Sequence, residues 1–399
     1  MFITEQTKQI QVKGSYDVIV VGGGIAGISA ALAAARTGAK TLLIEKGYML
    51  GGLATAGLIT IYLPLCDGLG NQVSFGIAEE LFRLSVKHGH EAIDASVWLD
   101  KNGDKEKRKK RRYETRFNAN VCAILCEQLL LETGVEILYG TSVCAVQTEN
   151  ERITAIITEN KSGREAYLAK GFVDATGDAD LCYLAGEKTQ TFGQGNVLAS
   201  WYYEYVENEY RLHMLGFSDT PDKYKTEEKK KNDNRKRYVG LSGKELSEMT
   251  CSAHQAILTD FLKNGNVNEQ HALTTIATTP QVRMTRRVDG VYTMNDEEIR
   301  KRFTDSVGMF SDWRKKGPVY ELPMRCLHGA KIKNVYACGR CISVTDDMWD
   351  ITRVIPVCAV SGQAAGTAAA MFESTDKIDI SALQEKLKAD GVRLHTDEL

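Results

Sequence analysis

Three glycines and one acid carry the densest chemistry in the chain. Gly22, Gly24 and Gly27 stand at G-x-G-x-x-G spacing, and Glu45 follows about twenty residues on. The first glycine permits a tight turn, the second lets backbone N–H groups approach a pyrophosphate, and the third lets a helix pack close to a strand. A carboxylate at the position of Glu45 accepts hydrogen bonds from a ribose diol. Such a set binds an adenine dinucleotide and by itself fits NAD or FAD. Other reactive residue types are scattered. Cys338 and Cys341 are formally a C-x-x-C pair, the spacing of a redox disulfide. His271 and His328 have the chemistry of general bases but read as structural histidines. No Cys/His cluster has metal-ligand spacing, and no G-x-S-x-G or Ser/His/Asp pattern occurs.

The glycines work only between a strand and a helix, and the sequence supplies both. Residues 18–21 form an apolar strand, 30–36 continue as an Ala-rich helix closed by Gly38, and 41–44 form a second strand ending at Glu45. The helix N-terminus then turns its partial positive charge toward the phosphates. Gly51 and Gly52 again allow close backbone approach. Residues 118–132 have helical periodicity and stop at Gly134, followed by a strand at 135–138. Three alternating segments, 142–147, 152–159 and 165–170, are joined by turn-rich ENE and NKSG, which predicts an antiparallel meander. The next strand runs into a turn at Ala175, Thr176 and Gly177. A strand at 334–337 leads into CGRCIS. Pro356 then opens a helix over 357–371 whose small residues let it lie close to a neighbour, and an amphipathic helix at 380–389 closes the chain.

The expected fold class is therefore α/β, a Rossmann-like dinucleotide-binding domain with a β-meander plus an inserted α+β substrate domain. The first would be discontinuous, over 14–185 and 320–375, with a charged insertion near 100–112. Residues 186–319 lack the βαβ rhythm, are richer in aromatics, and form the substrate or cap domain. A C-terminal helix lies within 376–399.

Composition narrows the partners. The chain has 399 residues, 43% hydrophobic and 26% charged, with a formal net charge of -2. That is ordinary globular composition, and no global field recruits nucleic acid or an anionic membrane. Segments 100–112 and 222–237 are dense in charge, but acids interleave the bases, so solvated loops are expected. No apolar run spans a bilayer, the first residues lack a signal-peptide core, and ten cysteines stand at no framework spacing. A soluble, cytoplasmic protein is the expectation.

Several blocks recur together in order: GGGIAG at Gly22, EK at Glu45, GGLAT at Gly51, VDATGDAD at Val173, RMTRRVDGVYTM at Arg283, ELPMRCL at Glu321, CGRCIS at Cys338 and RVIPVCAVSGQAAGTAAA at Arg353. The set resembles the FAD-dependent oxidoreductase family, within the broad glutathione-reductase-like FAD-binding fold, and covers most of the chain. Succinate dehydrogenase and fumarate reductase flavoproteins look like more distant relatives. The resemblance implies non-covalent FAD and hydride transfer between a small organic substrate and flavin N5. With no second G-x-G-x-x-G, an NAD(P)H-docking domain is disfavoured.

Carried over, Gly22, Gly24, Ile25, Ala26 and Gly27 would hold the pyrophosphate, and Glu45 with Lys46 the adenosine ribose. Gly51, Gly52, Leu53 and Ala54 would line the ribityl region, and Val143 would meet adenine through its backbone. Ala175, Thr176 and Gly177 would close over the dinucleotide, with Gly339 and Arg340 at the ribityl-phosphate end. Ile355 and Pro356 open the helix whose amides would face flavin N1 and C2=O, with Gly362, Gln363 and Ala364 against the ring. Arg283, Arg286, Arg325 and Arg353 would be the catalytic side chains, since paired guanidinium donors suit a substrate carboxylate. Arg353 has a second reading as a structural partner of Asp346, Asp347 or Asp350. The segment VTDDMWDIT departs from the family pattern, so Asp346, Asp347, Trp349 and Asp350 are expected to change charge and access at the site. Cys338 and Cys341 fall at the family's flavin turn, which disfavours a dithiol. The partners implied are a small-molecule substrate and an unassigned electron acceptor. The alternatives are a flavoprotein acting on RNA or in an electron-transfer complex through its basic loops, or a non-catalytic dinucleotide-binding protein.

Overall fold

Residues 18–21 are apolar on both faces, the pattern of a parallel strand covered on two sides, and Val18, Ile19 and Val20 have no exposed surface. They complete β1 (Val12–Val21). The computed structural model describes residues 3, 9–88, 95–100, 103–217, 221–231, 233–263, 265, 267–372 and 378–399. After the glycine turn come α1 (Ile25–Arg36) and β2 (Thr41–Ile44), the latter parallel to β1. Next are α2 (Ile77–Val86), α3 (Lys105–Lys110), α4 (Ala119–Glu132) and β3 (Glu136–Leu138), which joins the sheet beside β2. The meander is β4 (Ser142–Glu149), β5 (Arg152–Asn160) and β6 (Gly163–Asp174). The first part of β6 pairs antiparallel with β5, and the strand runs on parallel to β1 into the sheet.

A separate antiparallel sheet follows, from β7 (Ser200–Val206), β8 (Glu209–Leu215) and β9 (His271–Ile276), in the order β8–β7–β9. α5 (Gly243–Lys263) packs on it by burying Ile257 and Phe261 against Tyr202. The hairpin β10 (Ser306–Ser311) and β11 (Val319–Pro323) straddles the boundary expected at 319/320. β12 (Val335–Ala337) then pairs parallel with β6, which completes a seven-stranded sheet, β3–β2–β1–β6–β5–β4 with β12 beside β6. The chain ends with α6 (Asp346–Thr352), α7 (Ile355–Ala370) and α8 (Ile380–Ala389). This is the α/β fold with a meander and an inserted α+β region.

Small residues set the distance between α1 and α7. A Cβ on Gly366 would lie 2.0 Å from the Ala30 carbonyl oxygen, and one on Gly362 would lie 2.2 Å from that of Ala26. Both obstacles are backbone, so the helices must separate to admit a methyl group. Gly366→Ala is expected to lower stability by about 3 kcal/mol, read as a lower urea midpoint at unchanged slope.

Residues 101, 102 and 232 of the charged segments lie outside the described residues, and the rest make more contacts than solvated loops would. Asp104 caps α3 by accepting from the Glu106 amide, and Arg108 stacks over the Trp98 ring. Local capping and one aromatic contact replace apolar periodicity there. In the second segment, Lys223 pairs with Asp296 and Asp347, and Lys225 with Asp222 and Asp233. Among the described residues no helix is long and apolar enough to cross a membrane.

Candidate active site

The glycine turn is held by contacts that no larger residue permits. Gly22 has φ +104°, and a Cβ there would lie 2.4 Å from the Ala175 oxygen. A Cβ on Gly27 would lie 1.8 Å from the Gly22 oxygen. Gly24 differs from both, because a Cβ there meets nothing within 4 Å. As N-cap of α1, Gly24 offers no side chain to the first amides of the helix, so these face open space beside it.

Other segments converge on that space from the carboxyl ends of the strands, where open α/β sheets bind their ligands. Gly51 donates to the Gly23 oxygen at 2.8 Å and brings Gly52, Leu53 and Ala54 alongside. Both Glu45 oxygens are anchored, by the amides of Gly23 (2.6 Å) and Gly47 (2.7 Å). Lys46 is exposed, and Thr141 docks on the Glu45 carbonyl just before Val143 in β4. Ala175 donates to the Val21 oxygen at 2.9 Å, and the buried Asp174 carboxylate fixes the turn through Thr176. The Gly339 amide donates to Ser361 of α7. Arg340 lies over Gly177, pairs with Asp178 and donates to the Val282 carbonyl.

Beside this cradle is a cavity of about 70 Å³. Leu53, Ala54, Ile59, Ile61 and Leu63 are the apolar part of its lining, which Arg283, Arg340, Arg353, Val354 and Ile355 complete. Val354, the N-cap of α7, also offers no capping side chain, and Pro356 stands in the first turn. Two of the arginines have a carboxylate partner, Arg340 in Asp178 and Arg353 in Asp350 at 2.6 Å. Arg283 makes no ion pair among the described residues. It is 5% exposed, donates to the Gln281 carbonyl at 2.9 Å and lies 5.6 Å from the Trp201 ring centre. Burial first, then the charges of Arg353 and Arg340, push its guanidinium down to about 9. It is still charged at neutral pH, and the part of the depression that comes from Arg353 and Arg340 marks positive potential around it.

The remaining expected residues lie elsewhere. Arg286 pairs with Asp180 at 2.5 Å and covers the Tyr183 ring, while Arg325 forks onto Asp305. Neither lines the cavity. Gly362 faces α1, the Gln363 side chain accepts from the Ile77 amide at the start of α2, and Ala364 is fully buried. The acidic departure after CGRCIS is a helix capped by Thr345, not an open loop. Asp346 pairs with Arg287, Asp347 with Lys223, and Asp350 with Arg353 and Arg314, so a base answers each carboxylate. His271 bonds Glu204, and His328 the Gly329 carbonyl.

Cys338 and Cys341 are free and fully buried, and burial holds both thiols far above their ordinary range. A thiol reagent is therefore expected to modify exposed Cys251 first, and Cys338 and Cys341 only after unfolding. Quantifying labelled peptides against denaturant checks this. The apolar wall at Ile59, Ile61 and Leu63 and the neighbouring Val354 were not singled out from the sequence. The alternation in ITIYLPL was the available signal.

A family model described as FAD dependent oxidoreductase matches residues 17–199 and 199–387. The chain belongs to that family. This flavoenzyme takes FAD as its cofactor and is an oxidoreductase. It is similar to the thioredoxin reductase of Ureaplasma parvum serovar 3, at 28% identity over 171 residues, 39% of this chain and 52% of that protein. It is also similar to the tRNA uridine 5-carboxymethylaminomethyl modification enzyme of Campylobacter hominis, at 31% identity over 153 residues, 36% of this chain and 21% of that one. The chain thus spans about half the length of the first and about a fifth of the second. Among solved structures, a geranylgeranyl bacteriochlorophyll reductase-like protein from Thermoplasma acidophilum aligns at TM-score 0.48 and 15% identity, covering 94% of this chain and 83% of that one. The cradle fits FAD on its own geometry, since Gly24 and the uncapped α1 amides leave the space a pyrophosphate needs.

Proposed function

We propose that the flavoenzyme transfers a hydride between a small organic carboxylate and FAD. The observation that carries this reading is Arg283, a buried guanidinium on the wall of the cavity that has no carboxylate partner among the described residues. In the proposal, Gly22–Gly27 and the first turn of α1 hold the pyrophosphate, with Arg340 and Gly339 beside it. Glu45 holds the adenosine ribose, near Lys46 and Val143. Gly51–Ala54 and Ala175–Gly177 enclose the middle of the cofactor, while Gly362, Gln363 and Ala364 keep α7 close to α1 and α2. Bound FAD supplies the hydride acceptor and donor at N5.

The chain supplies everything around that exchange. The Arg283 fork binds the carboxylate with two charge-assisted hydrogen bonds and fixes its orientation. Ile355 and Pro356 begin a helix whose free amides, with Arg353, present positive potential where negative charge develops. Ile59, Ile61 and Leu63 keep water off the reacting carbon. Among the described residues, arginines are the only proton-bearing side chains on the wall. The proton that accompanies the hydride therefore passes through a guanidinium or through water entering with the substrate. Arg286 and Arg325, occupied by Asp180 and Asp305, are assigned to holding the fold around the site.

The test is the visible spectrum of the FAD-loaded protein, titrated with small carboxylates. Flavin should leave with the supernatant on acid precipitation, bleach reversibly with dithionite, and shift saturably with carboxylates but not with their amides. The charged fork is the binding form, so carboxylate affinity should be flat through neutral pH and fall as pH rises past about 9. Equal shifts with neutral analogues would remove the basis for an anionic substrate.

A further inference from the structure

A basic surface is joined to the cavity wall by a chain of side-chain contacts. Residues 104–112, DKEKRKKRR, hold seven bases against two acids in a chain whose net charge is -2. The fold uses up both acids locally. Asp104 caps α3 and Glu106 pairs with Lys109 at 2.5 Å. Lys105, Lys107 and Lys110 are exposed and make no ion pair among the described residues. A second stretch of chain adds Lys315 and Lys316, also exposed.

The turn Gly68–Gly70 joins these two stretches. A Cβ on Gly70 would lie 3.1 Å from the Lys105 Cγ and 3.2 Å from that of Lys109, and one on Gly68 would lie 2.8 Å from the Lys316 Cγ. Leu69, 45% exposed, stands between them. An apolar centre within a rim of lysines is the anatomy of a transient protein interface. Single-stranded nucleic acid would instead be held on exposed aromatic platforms as well as by charge, whereas Trp98 is buried beneath Arg108.

The same surface is wired to the cavity wall. Arg112 donates to the Trp313 carbonyl, and the Trp313 indole donates to the Asp350 carbonyl at 2.9 Å. The Asp350 carboxylate holds Arg353, which lines the cavity, at 2.6 Å, and Arg314 approaches it at 3.5 Å.

We infer that this lysine-rimmed surface around Leu69 docks an acidic one-electron carrier protein that exchanges electrons with the cofactor through the wall formed by Trp313, Asp350 and Arg353. In the direction of substrate reduction, two reduced carriers each give up one electron, and the cofactor takes up one proton with the pair. The resulting hydride passes to the substrate, which takes its second proton from the site, and both carriers leave oxidised. The reverse direction runs through the same contacts. Opposed charge speeds encounter and makes the rate depend on salt. The inference rests on the flavin reading, and its test separates the two.

FAD-loaded protein is mixed anaerobically with reduced acidic plant-type ferredoxin, and in parallel with reduced flavodoxin, while flavin bleaching is followed. Wild type should be bleached by at least one carrier at a rate that falls steeply with salt. The variant Lys105→Glu, Lys107→Glu, Lys316→Glu should react about 10-fold more slowly or worse, with bleaching by photoreduced deazaflavin unchanged. Failure of deazaflavin to bleach the wild type would instead count against the flavin reading itself. Equal rates in wild type and variant, or no bleaching by either carrier, would overturn the docking inference. Retention of polyuridylate in place of carrier reactivity would overturn it too and assign the surface to RNA.

Discussion

Gly24→Val is expected to give a folded protein that holds no flavin. Gly24 has extended backbone, φ -68° and ψ 176°, which any residue adopts, and its missing Cβ meets no protein atom within 4 Å. The substitution therefore leaves the fold unstrained and fills only the space beside the first amides of α1. FAD affinity should fall by about 100-fold or more, equivalent to about 2.7 kcal/mol. Thermal unfolding of the apoprotein should stay where it was. Gly27→Ala is the informative contrast. Its Cβ would sit 1.8 Å from the Gly22 oxygen, so that variant loses stability together with flavin. Flavin released per mole of protein, measured beside the unfolding midpoint, separates the two. Stoichiometric FAD in Gly24→Val would mean that the pyrophosphate does not lie there.

Arg283→Met is expected to lose carboxylate chemistry while keeping flavin. Removing one partner of a buried, hydrogen-bonded charge pair costs about 2–5 kcal/mol of binding, so kcat/KM for a carboxylate should drop about 100-fold or more. The apoprotein should at the same time become more stable. Arg283 is buried without a carboxylate, beside Arg340 and Arg353, so its charge works against folding. Methionine of similar length removes that cost. Activity lost while the melting temperature rises is the signature of a functional charge, and a merely structural arginine would lose both. Arg283→Lys should recover part of the affinity, since an ammonium keeps the charge but not the paired fork.

The cofactor cradle was legible because its requirements are local. Gly22, Gly24, Gly27 and Glu45 follow one another within a single βαβ unit, and the meander announces itself by alternation and turns. The helix at 357–371 was readable from Pro356 and its run of small residues, and it begins two residues earlier, at Ile355. The substrate side was legible only as a set of arginines. Arg283, Arg286 and Arg325 look alike in sequence, and their roles depend on which carboxylate folds onto each. Asp180 and Asp305 come from distant segments to meet Arg286 and Arg325, and among the described residues none comes to Arg283. The acidic run after CGRCIS misled for the same reason. Only Arg353, three residues after Asp350, was readable as a partner; Arg287, Lys223 and Arg314 come from segments that no local pattern ties to it.

The most direct test is anaerobic exchange of a hydride with the FAD-loaded protein. Oxidised protein is mixed with a panel of small 2-hydroxy carboxylates, and reduced protein with 2-oxo and 2,3-unsaturated carboxylates, each beside its amide, while flavin absorbance is followed. At least one carboxylate should change the redox state of the flavin, with its amide slower by about 100-fold. Amides that react as fast as their acids, or a flavin that no member of either panel alters, would contradict an oxidoreductase built around a carboxylate held by Arg283.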